Sequence, residues 1–342
     1  GPFPDRPRNG RVAVLFNGCI YNHRELRREL QAAGHHFVTD HRDTEVLIHG
    51  WREWGFELCR HLDGMYALAI WDQASAGMQL VVDMVGEKPL YFGHDWPRHT
   101  LISFASTIPA LVRLQKSMGE RVVAQNHPFG MSDLLAYGFL TGIDDWGQSS
   151  VKAVNRVGSR NPLGAFAANG VVRPIAHPLE PARLPSYSAR SSVNTESFTE
   201  TNIEEALQRS VESRLEADVP TGCFLSGGID SSLVSLYAKR YAGNIRTYCI
   251  RMPSASYDES PIAEEVARRI GTTHHTLDCE GDPSGDLVKL IGQLGIPFGD
   301  SSLLPTYWVS KAARSHLGVA ISGDGGDEMF CGYKRYRAAR LL

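Results

Sequence analysis

Leu225-Ser226-Gly227-Gly228-Ile229-Asp230-Ser231-Ser232 is the stretch of sequence that decides the fold of the second half of the chain. It follows a short apolar run, Gly222–Leu225, and leads into a segment with helical periodicity, Ser231–Tyr241. Paired glycines at such a junction let backbone N–H groups approach an anion, because no Cβ stands in the way. The helix N-terminus adds unpaired amides and the positive end of the helix dipole. The stretch therefore predicts a phosphate-binding loop, to which Ser226, Ser231 and Ser232 add hydroxyl donors. It differs from a Walker A loop because no Gly-Lys-Ser/Thr follows.

A second Gly-rich loop, Ser322-Gly323-Asp324-Gly325-Gly326-Asp327-Glu328, again follows an apolar run, Gly318–Ile321. Its three carboxylates repel one another unless they are solvated or neutralised by a cation. Asp230 is also an unusual neighbour for a phosphate unless a cation lies between the two. Loops that follow parallel strands open on the same edge of a sheet. The two loops together therefore indicate a nucleotide site that uses Mg²⁺.

The first half of the chain is rich in short apolar segments separated by turn residues. Two helices are predicted among them, at Asn22–Ala33 and Asp43–Trp54, and both are followed by glycine. Strand-rich sequence with two helices is typical of a layered α+β domain. The predicted strands are Val12–Phe16, Met65–Trp71, Met78–Asp83, Leu90–Phe92 and Leu101–Ala105.

The second half alternates strands with helices, which predicts a parallel sheet covered by helices on both faces. The predicted strands are Gly222–Leu225, Ile245–Ile250, Thr273–Leu277 and Gly318–Ile321. The predicted helices are Thr201–Ala217, Ser231–Tyr241, Ser260–Ile270, Gly285–Leu294 and Leu304–His316. A segment rich in Pro, Ser and Thr at 181–200 is interpreted as a linker. We predict one domain at 1–185 and another at 196–342.

Composition narrows the function classes. The 342 residues are 42% hydrophobic and 21% charged, which is typical of a soluble globular protein. A net charge of −3 gives no electrostatic case for nucleic acid or for an anionic membrane. No apolar run approaches the roughly 18–20 residues of a membrane span, and the first residues do not form a signal peptide. Six cysteines without a C-x-x-C pair predict buried, reduced thiols and a cytoplasmic location.

The motifs of both halves resemble those of the glutamine-dependent asparagine synthetases. In the second half the resemblance rests on the two loops, on Tyr257-Asp-Glu-Ser260 and on Pro297-Phe-Gly-Asp-Ser-Ser302. In the first half it rests on Phe16-Asn-Gly-Cys-Ile-Tyr-Asn22, Asp43-Thr-Glu-Val46, Leu62-Asp-Gly-Met-Tyr-Ala67 and Lys88-Pro-Leu-Tyr91. The family implies an α+β N-terminal-nucleophile amidotransferase-like layered domain. An α/β parallel-sheet ATP pyrophosphatase-type domain, of the adenine nucleotide α hydrolase-like kind, follows it.

The resemblance also implies an activity and a set of site residues. Glutamine would yield ammonia in the first domain. In the second, ATP would adenylate the β-carboxylate of aspartate, and ammonia would displace AMP from aspartyl-AMP. The implied glutamine-binding residues are Asn17, Gly18, Cys19 and Asp43. The implied Mg²⁺ ligands are Asp230 and Asp327, and the implied catalytic residue of adenylation is Asp324. The implied ATP contacts are Leu225 and Ile250 beside adenine, the loop residues Ser226, Gly227, Gly228, Asp230, Ser231 and Ser232, and Ser322 and Gly323.

Several positions depart from the family pattern. Cys19 stands where the family usually has glutamate, and the segment Val81–Gly86 lacks the arginines usual before Lys88. We interpret Cys19 as a buried or half-buried thiol, since no free amine adjoins it. The family opens with a cysteine where this chain has Gly1, and it continues past Leu342. We therefore expect a sequence truncated at both ends that neither hydrolyses glutamine nor makes asparagine.

Two other readings stay open on the sequence alone. One is a ligase of the same superfamily that forms a different amide, such as a β-lactam-forming or peptide-cyclising enzyme. The other is a non-catalytic remnant that binds a nucleotide or a partner protein. The sequence also leaves the oligomeric state open, with a homodimer as one option.

Overall fold

The computed structural model of the protein describes residues 10–40, 42–75, 77–95, 100–119, 154–156, 163–168, 171–176, 200–295, 298–334 and 336. The chain divides into two compact units, each described by itself below. One comprises residues 1–191 and 288–299, and the other comprises 192–287 and 300–342. Of the predicted linker at 181–200, residues 181–199 lie outside the described residues.

The first unit is built on two antiparallel sheets. Its described strands are β1 Val12–Ile20, β2 Gly64–Asp72, β3 Gly77–Val82, β4 Tyr91–Asp95, β5 Thr100–Ala105, β6 Val154–Arg156, β7 Leu163–Ala168 and β8 Val171–Ala176. One sheet has the order β1-β2-β3-β7-β8, and the other has the order β5-β4-β6. The helices are α1 His23–Ala32, α2 Asp43–Trp54, α3 Leu58–His61 and α4 Ile108–Ser117, and a 3₁₀ turn at Gly55–Glu57 precedes α3.

Successive side chains of β2 point to opposite faces of its sheet, and the elements that pack on these faces form four layers. Leu68 and Ile70 pack on the side of α1 and α2, in a buried cluster with Leu30 and Leu47. The intervening Ala67 and Ala69 face the second sheet, where they cluster with Leu90 and Phe92. Ile108 and Leu111 of α4 pack against Tyr91 of β4. The layers run helix, sheet, sheet, helix, which confirms the predicted layered α+β domain.

Some elements of this unit differ from the prediction. Strand β1 continues to Ile20 rather than ending at Phe16, because Gly18 pairs with Tyr66 across the ladder. Helix α4 was not predicted, although Thr107 caps it by accepting a hydrogen bond from Ala110 N at 3.4 Å. Strands β6, β7 and β8 were also missed. The alanines of Leu163–Ala168 explain the case of β7, since alanine has a low strand propensity.

The second unit contains a parallel sheet of four described strands. They are β9 Thr221–Phe224, β10 Arg246–Arg251, β11 Thr273–Asp278 and β12 Val319–Ile321. Their order in the sheet is β11-β10-β9-β12. The helices of this half are α5 Glu200–Arg214, α6 Ile229–Ala242, α7 Ser260–Ile270, α8 Pro283–Leu294, α9 Leu303–Ala313 and α10 Gly326–Phe330. Two predicted helices are shorter in the structure: α5 ends at Arg214, not Ala217, and α9 ends at Ala313, not His316.

Helices cover both faces of this sheet, as predicted. Cys223 of β9 clusters on one face with Val211 of α5 and Val234 of α6. Tyr248 of β10 clusters on the other face with Ala313 of α9. The strand order sets β9 directly beside β12, so the loops that follow these two strands leave the same edge of the sheet.

All six cysteines are free thiols, but the prediction that they are buried holds for only two of them, Cys223 and Cys249. Cys19, Cys59 and Cys279 are half-buried, and Cys331 is exposed. Burial raises the pKa of the Cys223 thiol to about 12. In the described part of the chain no helix is both long and apolar enough to span a bilayer.

Candidate functional site

The loop after β9 is built by its own hydroxyl groups. Ser226 Oγ accepts a hydrogen bond from Gly228 N at 3.2 Å and lies 3.0 Å from Ser231 Oγ. Ser232 Oγ donates to Gly228 O at 2.6 Å. These contacts hold the residues at the N-terminus of α6, a helix of 14 residues whose N-cap is Gly228. The loop therefore places hydroxyls and the positive end of a helix dipole around one point, as an anion site requires.

Gly227 is required for this loop. Its φ of +84° lies in the left-handed region that side chains rarely adopt. A Cβ at this position would also lie 2.6 Å from Ile262 Cγ2 of α7. The backbone of the loop therefore passes against α7 with no room for a side chain. Ile262 is a contact that the sequence motif did not reveal.

The acidic loop after β12 packs directly on Asp230. A Cβ at Gly323 would lie 2.6 Å from Ser231 N and 2.9 Å from Asp230 C. A Cβ at Gly326 would lie 2.4 Å from both Asp230 Cγ and Asp230 Oδ2. The glycines of the second loop thus let its backbone touch the first loop. The two motifs predicted separately from the sequence form one contiguous site.

This contact gathers negative charge around Asp230. Burial raises the pKa of its carboxyl above the ordinary value, and the charges of Asp327 and Glu328 raise it further. Carboxylates brought together in this way are stabilised by a divalent cation, and oxygen is the ligand that Mg²⁺ prefers. The donor set at this edge of the sheet fits Mg²⁺. Glu328 belongs to the acidic loop that the sequence predicts to meet a cation, but it was not among the implied Mg²⁺ ligands, Asp230 and Asp327.

Protein side chains alone do not complete a metal site in the part of the chain that the structure describes. Within the described ranges, no group of three or more His, Cys, Asp or Glu side chains is arranged to hold a metal ion. Mg²⁺ in nucleotide sites is bound by one or two carboxylates, with waters and substrate phosphates completing its coordination.

The residues of the acidic loop make different hydrogen bonds. The backbone carbonyl of Asp327 accepts one from Gly332 N at 3.0 Å, and the side-chain Oε1 of Glu328 accepts one from the Tyr333 hydroxyl at 2.5 Å. Asp324 is exposed, and its Oδ2 accepts from Ser322 Oγ at 2.8 Å. The structure therefore brings Asp327 and Glu328 into the electrostatic environment of Asp230, while Asp324 points to a separate contact with Ser322.

The two residues predicted beside adenine lie close to each other, one just after β9 and one on the neighbouring strand β10. Leu225 follows β9, is 1% exposed, and donates its N–H to Tyr248 O of β10 at 2.9 Å. Ile250 lies on β10 and is half-buried. The turn after β10 is organised by Asp258, whose Oδ1 accepts from Met252 N at 3.3 Å. A hydrogen bond from the Ser260 side chain holds the pKa of Asp258 below its ordinary value.

In the first unit, the predicted glutamine-binding residues lie at one end of β1. Asp43 Oδ2 accepts a hydrogen bond from Ile20 N at 3.3 Å, which places this carboxylate beside Cys19. Asn17 Nδ2 donates to Ser106 Oγ at 3.4 Å. A Cβ at Gly18 would lie 2.0 Å from Met65 O, so β1 passes close against β2 here. The structure brings Asp43 to the Asn17-Gly18-Cys19 segment, and Cys19 is half-buried.

Each half of the chain is similar to a known protein family. Residues 202–342 match the family model of asparagine synthase, and residues 2–136 match the glutamine amidotransferase domain. The layered first half of the chain is thus similar to a glutamine amidotransferase domain, and the parallel-sheet second half is similar to an asparagine synthase domain.

The curated relatives resemble nearly the whole chain. Glutamine-hydrolyzing asparagine synthetase 1 of Bacillus subtilis is 30% identical over 339 residues, which cover 95% of this chain and 48% of the relative. A putative glutamine-hydrolyzing asparagine synthetase of Mycobacterium tuberculosis is 31% identical over 344 residues, 98% of this chain and 49% of the relative. Asparagine synthetase B of Escherichia coli is 27% identical over 345 residues, 95% of this chain and 53% of the relative. The chain thus spans about half the length of the curated relatives it matches.

Proposed function

We propose that the second domain binds Mg-ATP between the loop after β9 and the loop after β12. The proposal rests on the close approach of Gly323 and Gly326 to Asp230. Asp327 and Glu328 are also close enough to raise the pKa of Asp230. A site that gathers several carboxylates beside a helix N-terminus suits an anion that arrives with a cation. The hydroxyls of Ser226, Ser231 and Ser232 would exchange their present bonds within the loop for phosphate oxygens.

The proposed reaction is the ATP-dependent amidation of aspartate to asparagine. An oxygen of the aspartate β-carboxylate would attack the α-phosphorus of ATP, which releases pyrophosphate and leaves aspartyl-AMP. Ammonia would then attack the activated carbonyl carbon, and the C–O bond to AMP would break. Both steps leave negative charge on phosphate oxygens, so the site needs preorganised donors and cations.

The residues of the second domain would divide this work. Asp230 and Asp327 would hold Mg²⁺, which neutralises charge on the pyrophosphate when it is bound. Asp324 is exposed at the mouth of the acidic loop, and we assign to it the catalytic role in adenylation. Leu225 and Ile250 would contact the adenine ring, and Ser322 with Gly323 would line the nucleotide.

In the first domain, we propose that glutamine binds at the end of β1 and donates the ammonia. Asn17 and Gly18 would contact the side-chain amide, and Asp43 would accept from the α-ammonium. Cys19 replaces the glutamate usual at this position, so Asp43 would be the one acidic partner of that ammonium among the four assigned residues. We further propose a cytoplasmic location, with aspartate, glutamine or ammonia, and ATP as the small-molecule partners.

The function is tested by product formation in the full-length natural protein that contains these 342 residues. With Mg-ATP and aspartate, AMP should appear in step with asparagine when glutamine or ammonia is added. Replacing aspartate with other carboxylates tests the substrate. AMP release driven by a different carboxylate, and not by aspartate, would assign the chain to another ligase of the superfamily and refute the proposal.

A further inference from the structure

Asp83 is a buried carboxylate placed where β3 ends. The residue is only 1% exposed. Its carboxylate accepts four hydrogen bonds from backbone N–H groups. Oδ2 accepts from Tyr66 N at 3.1 Å and from Lys88 N at 3.1 Å. Oδ1 accepts from Val85 N at 3.1 Å and from Glu87 N at 2.9 Å. One carboxylate thus organises the whole turn after β3 and also holds one residue of the neighbouring strand.

That neighbouring residue, Tyr66, stands between Asp83 and the end of β1. Its N–H donates to the Asp83 side chain, and its carbonyl accepts from Asp83 N at 2.8 Å. Both backbone polar groups of Tyr66 therefore point toward β3. On its other side Tyr66 is paired with Gly18, in the close type of antiparallel pair that forms no hydrogen bonds between its two residues.

Gly18 packs against the backbone of Tyr66 and Met65 with no space for a side chain. A Cβ at Gly18 would lie 2.8 Å from Tyr66 Cα and 2.0 Å from Met65 O. A displacement of the Tyr66 backbone must therefore be transmitted to Gly18 and its neighbour Cys19. The regular ladder between β2 and β3 ends at the pair of Ala67 and Val82. At the next position the Asp83 side chain accepts from Tyr66 N, in place of the Asp83 backbone carbonyl that a continued ladder would use.

We propose that Asp83 is a positioning residue for the glutamine pocket: it acts through Tyr66 to set the backbone of Asn17-Gly18-Cys19. The proposal rests on the assignment of that segment to glutamine binding. It gives the buried carboxylate a specific effect on glutamine affinity, beyond its contribution to folding.

The chain offers a matched control in Asp72. Asp72 is 4% exposed and lies on β2, the strand that also contains Tyr66. Its Oδ2 accepts a hydrogen bond from Trp51 Nε1 at 3.2 Å, and its Oδ1 accepts one from Ala74 N at 2.9 Å. It pairs with Val12 at the other end of β1, six residues along the strand from Tyr66, or roughly 20 Å. Asp72→Asn should therefore weaken folding without reaching the pocket.

The test is calorimetric titration of the whole chain with L-glutamine, together with amide hydrogen exchange. Asp83→Asn should weaken glutamine binding by about tenfold and speed exchange at the amides of Tyr66, Val85, Glu87 and Lys88. Asp72→Asn should lower the melting temperature and leave glutamine affinity unchanged. Equal affinity in wild type and Asp83→Asn, or equal losses in both variants, would overturn the positioning role.

Two further measurements test the proposal if Asp83→Asn does not fold or if the wild-type protein does not bind glutamine. If Asp83→Asn does not fold, glutamine added to the wild-type protein should still slow exchange at the four amides, because coupling between two sites is reciprocal; unchanged exchange would refute the proposal. If wild type does not bind glutamine, the proposed function of the first domain fails. Asp83 is then judged by the amide resonances of Gly18 and Cys19, which should shift in Asp83→Asn and stay in place in Asp72→Asn.

Discussion

Gly323→Ala tests whether the two loops of the second domain form one nucleotide site. The φ angle of Gly323 is compatible with alanine, so the cost of the new methyl group is steric. Its Cβ would lie 2.6 Å from Ser231 N, about 0.8 Å short of the 3.4 Å at which ordinary contact begins. The atoms in the way belong to the backbone of the phosphate loop and to Asp230, which cannot rotate aside as the end of a long side chain can. Either the two loops separate or one of them distorts.

The size of the effect follows from this geometry. Overpacking a close contact typically costs about 1–3 kcal/mol. If ATP must be bound by both loops at their native separation, the same cost weakens binding by about 5- to 150-fold. Titration calorimetry with Mg-ATP measures the loss, and a thermal melt measures the stability of the same sample.

A matched variant separates lost stability from lost binding. Gly271→Ala replaces the left-handed C-cap of α7, where φ is +78° and no atom lies within 4 Å of the new Cβ. Its cost is backbone strain of about 1–2 kcal/mol, and Gly271 precedes β11, at the sheet edge opposite the loops. It should lower the melting temperature and leave Mg-ATP affinity unchanged. Wild-type affinity in Gly323→Ala, or an equal loss in Gly271→Ala, would refute the single site.

Three further predictions concern individual carboxylates. Asp230→Asn should stabilise the metal-free protein by about 0.2–1 kcal/mol, because it relieves repulsion between carboxylates, and should therefore raise its melting temperature. Because its pKa is raised, that advantage exists at neutral pH and disappears as the pH falls through the pKa of Asp230; a lower melting temperature would contradict this. Glu45→Gln should cost about 1–3 kcal/mol at pH 7: burial opposes the charge of Glu45, yet hydrogen bonds from Thr39 and Val38 lower its pKa from 4.5 to about 2. In urea titrations that difference should vanish as the pH falls from 4.5 toward 2, and a constant difference would exclude the charge as its source. Asp324→Asn should leave Mg-ATP affinity near wild type and reduce aspartate-dependent pyrophosphate release in the full-length natural protein, and normal release would remove its assignment.

The sequence predicts the strand, loop and helix around Asp230 because local chemistry sets them. A buried run, two glycines and serine hydroxyls at a helix start leave few alternatives, and the structure has β9, the loop and α6 where they are expected. The alternation of apolar segments likewise predicts the parallel sheet with helices on both faces. Such features depend on residues close together in the chain.

Features that depend on distant residues could not be predicted in this way. The contact of Gly326 with the Asp230 carboxylate joins positions almost a hundred residues apart, and it exists because β12 happens to lie beside β9. The proximity of Glu328 to Asp230 follows from the same strand order. The hydrogen bond between Asp43 and Ile20 N also needs the tertiary fold, since only the packing of α2 on β1 brings them together.

Helix α4 was missed for another reason. Its start signals, Thr107 as N-cap and Pro109 in the first turn, are present in the sequence. They follow directly on the apolar strand that ends at Ala105, and the strand pattern dominates the local periodicity. The buried carboxylate of Asp83 shows the same limit, because its four amide partners become visible only when the turn after β3 is formed.

The central claim is that Asp230 and Asp327 meet a cation carried by ATP. Calorimetric titration of wild type and Asp230→Asn with ATP, once with Mg²⁺ and once with a chelator, tests it most directly. We predict that wild type binds Mg-ATP more tightly than metal-free ATP, and that Asp230→Asn removes most of this difference while changing metal-free binding little. Equal losses of affinity with and without Mg²⁺ would contradict the claim.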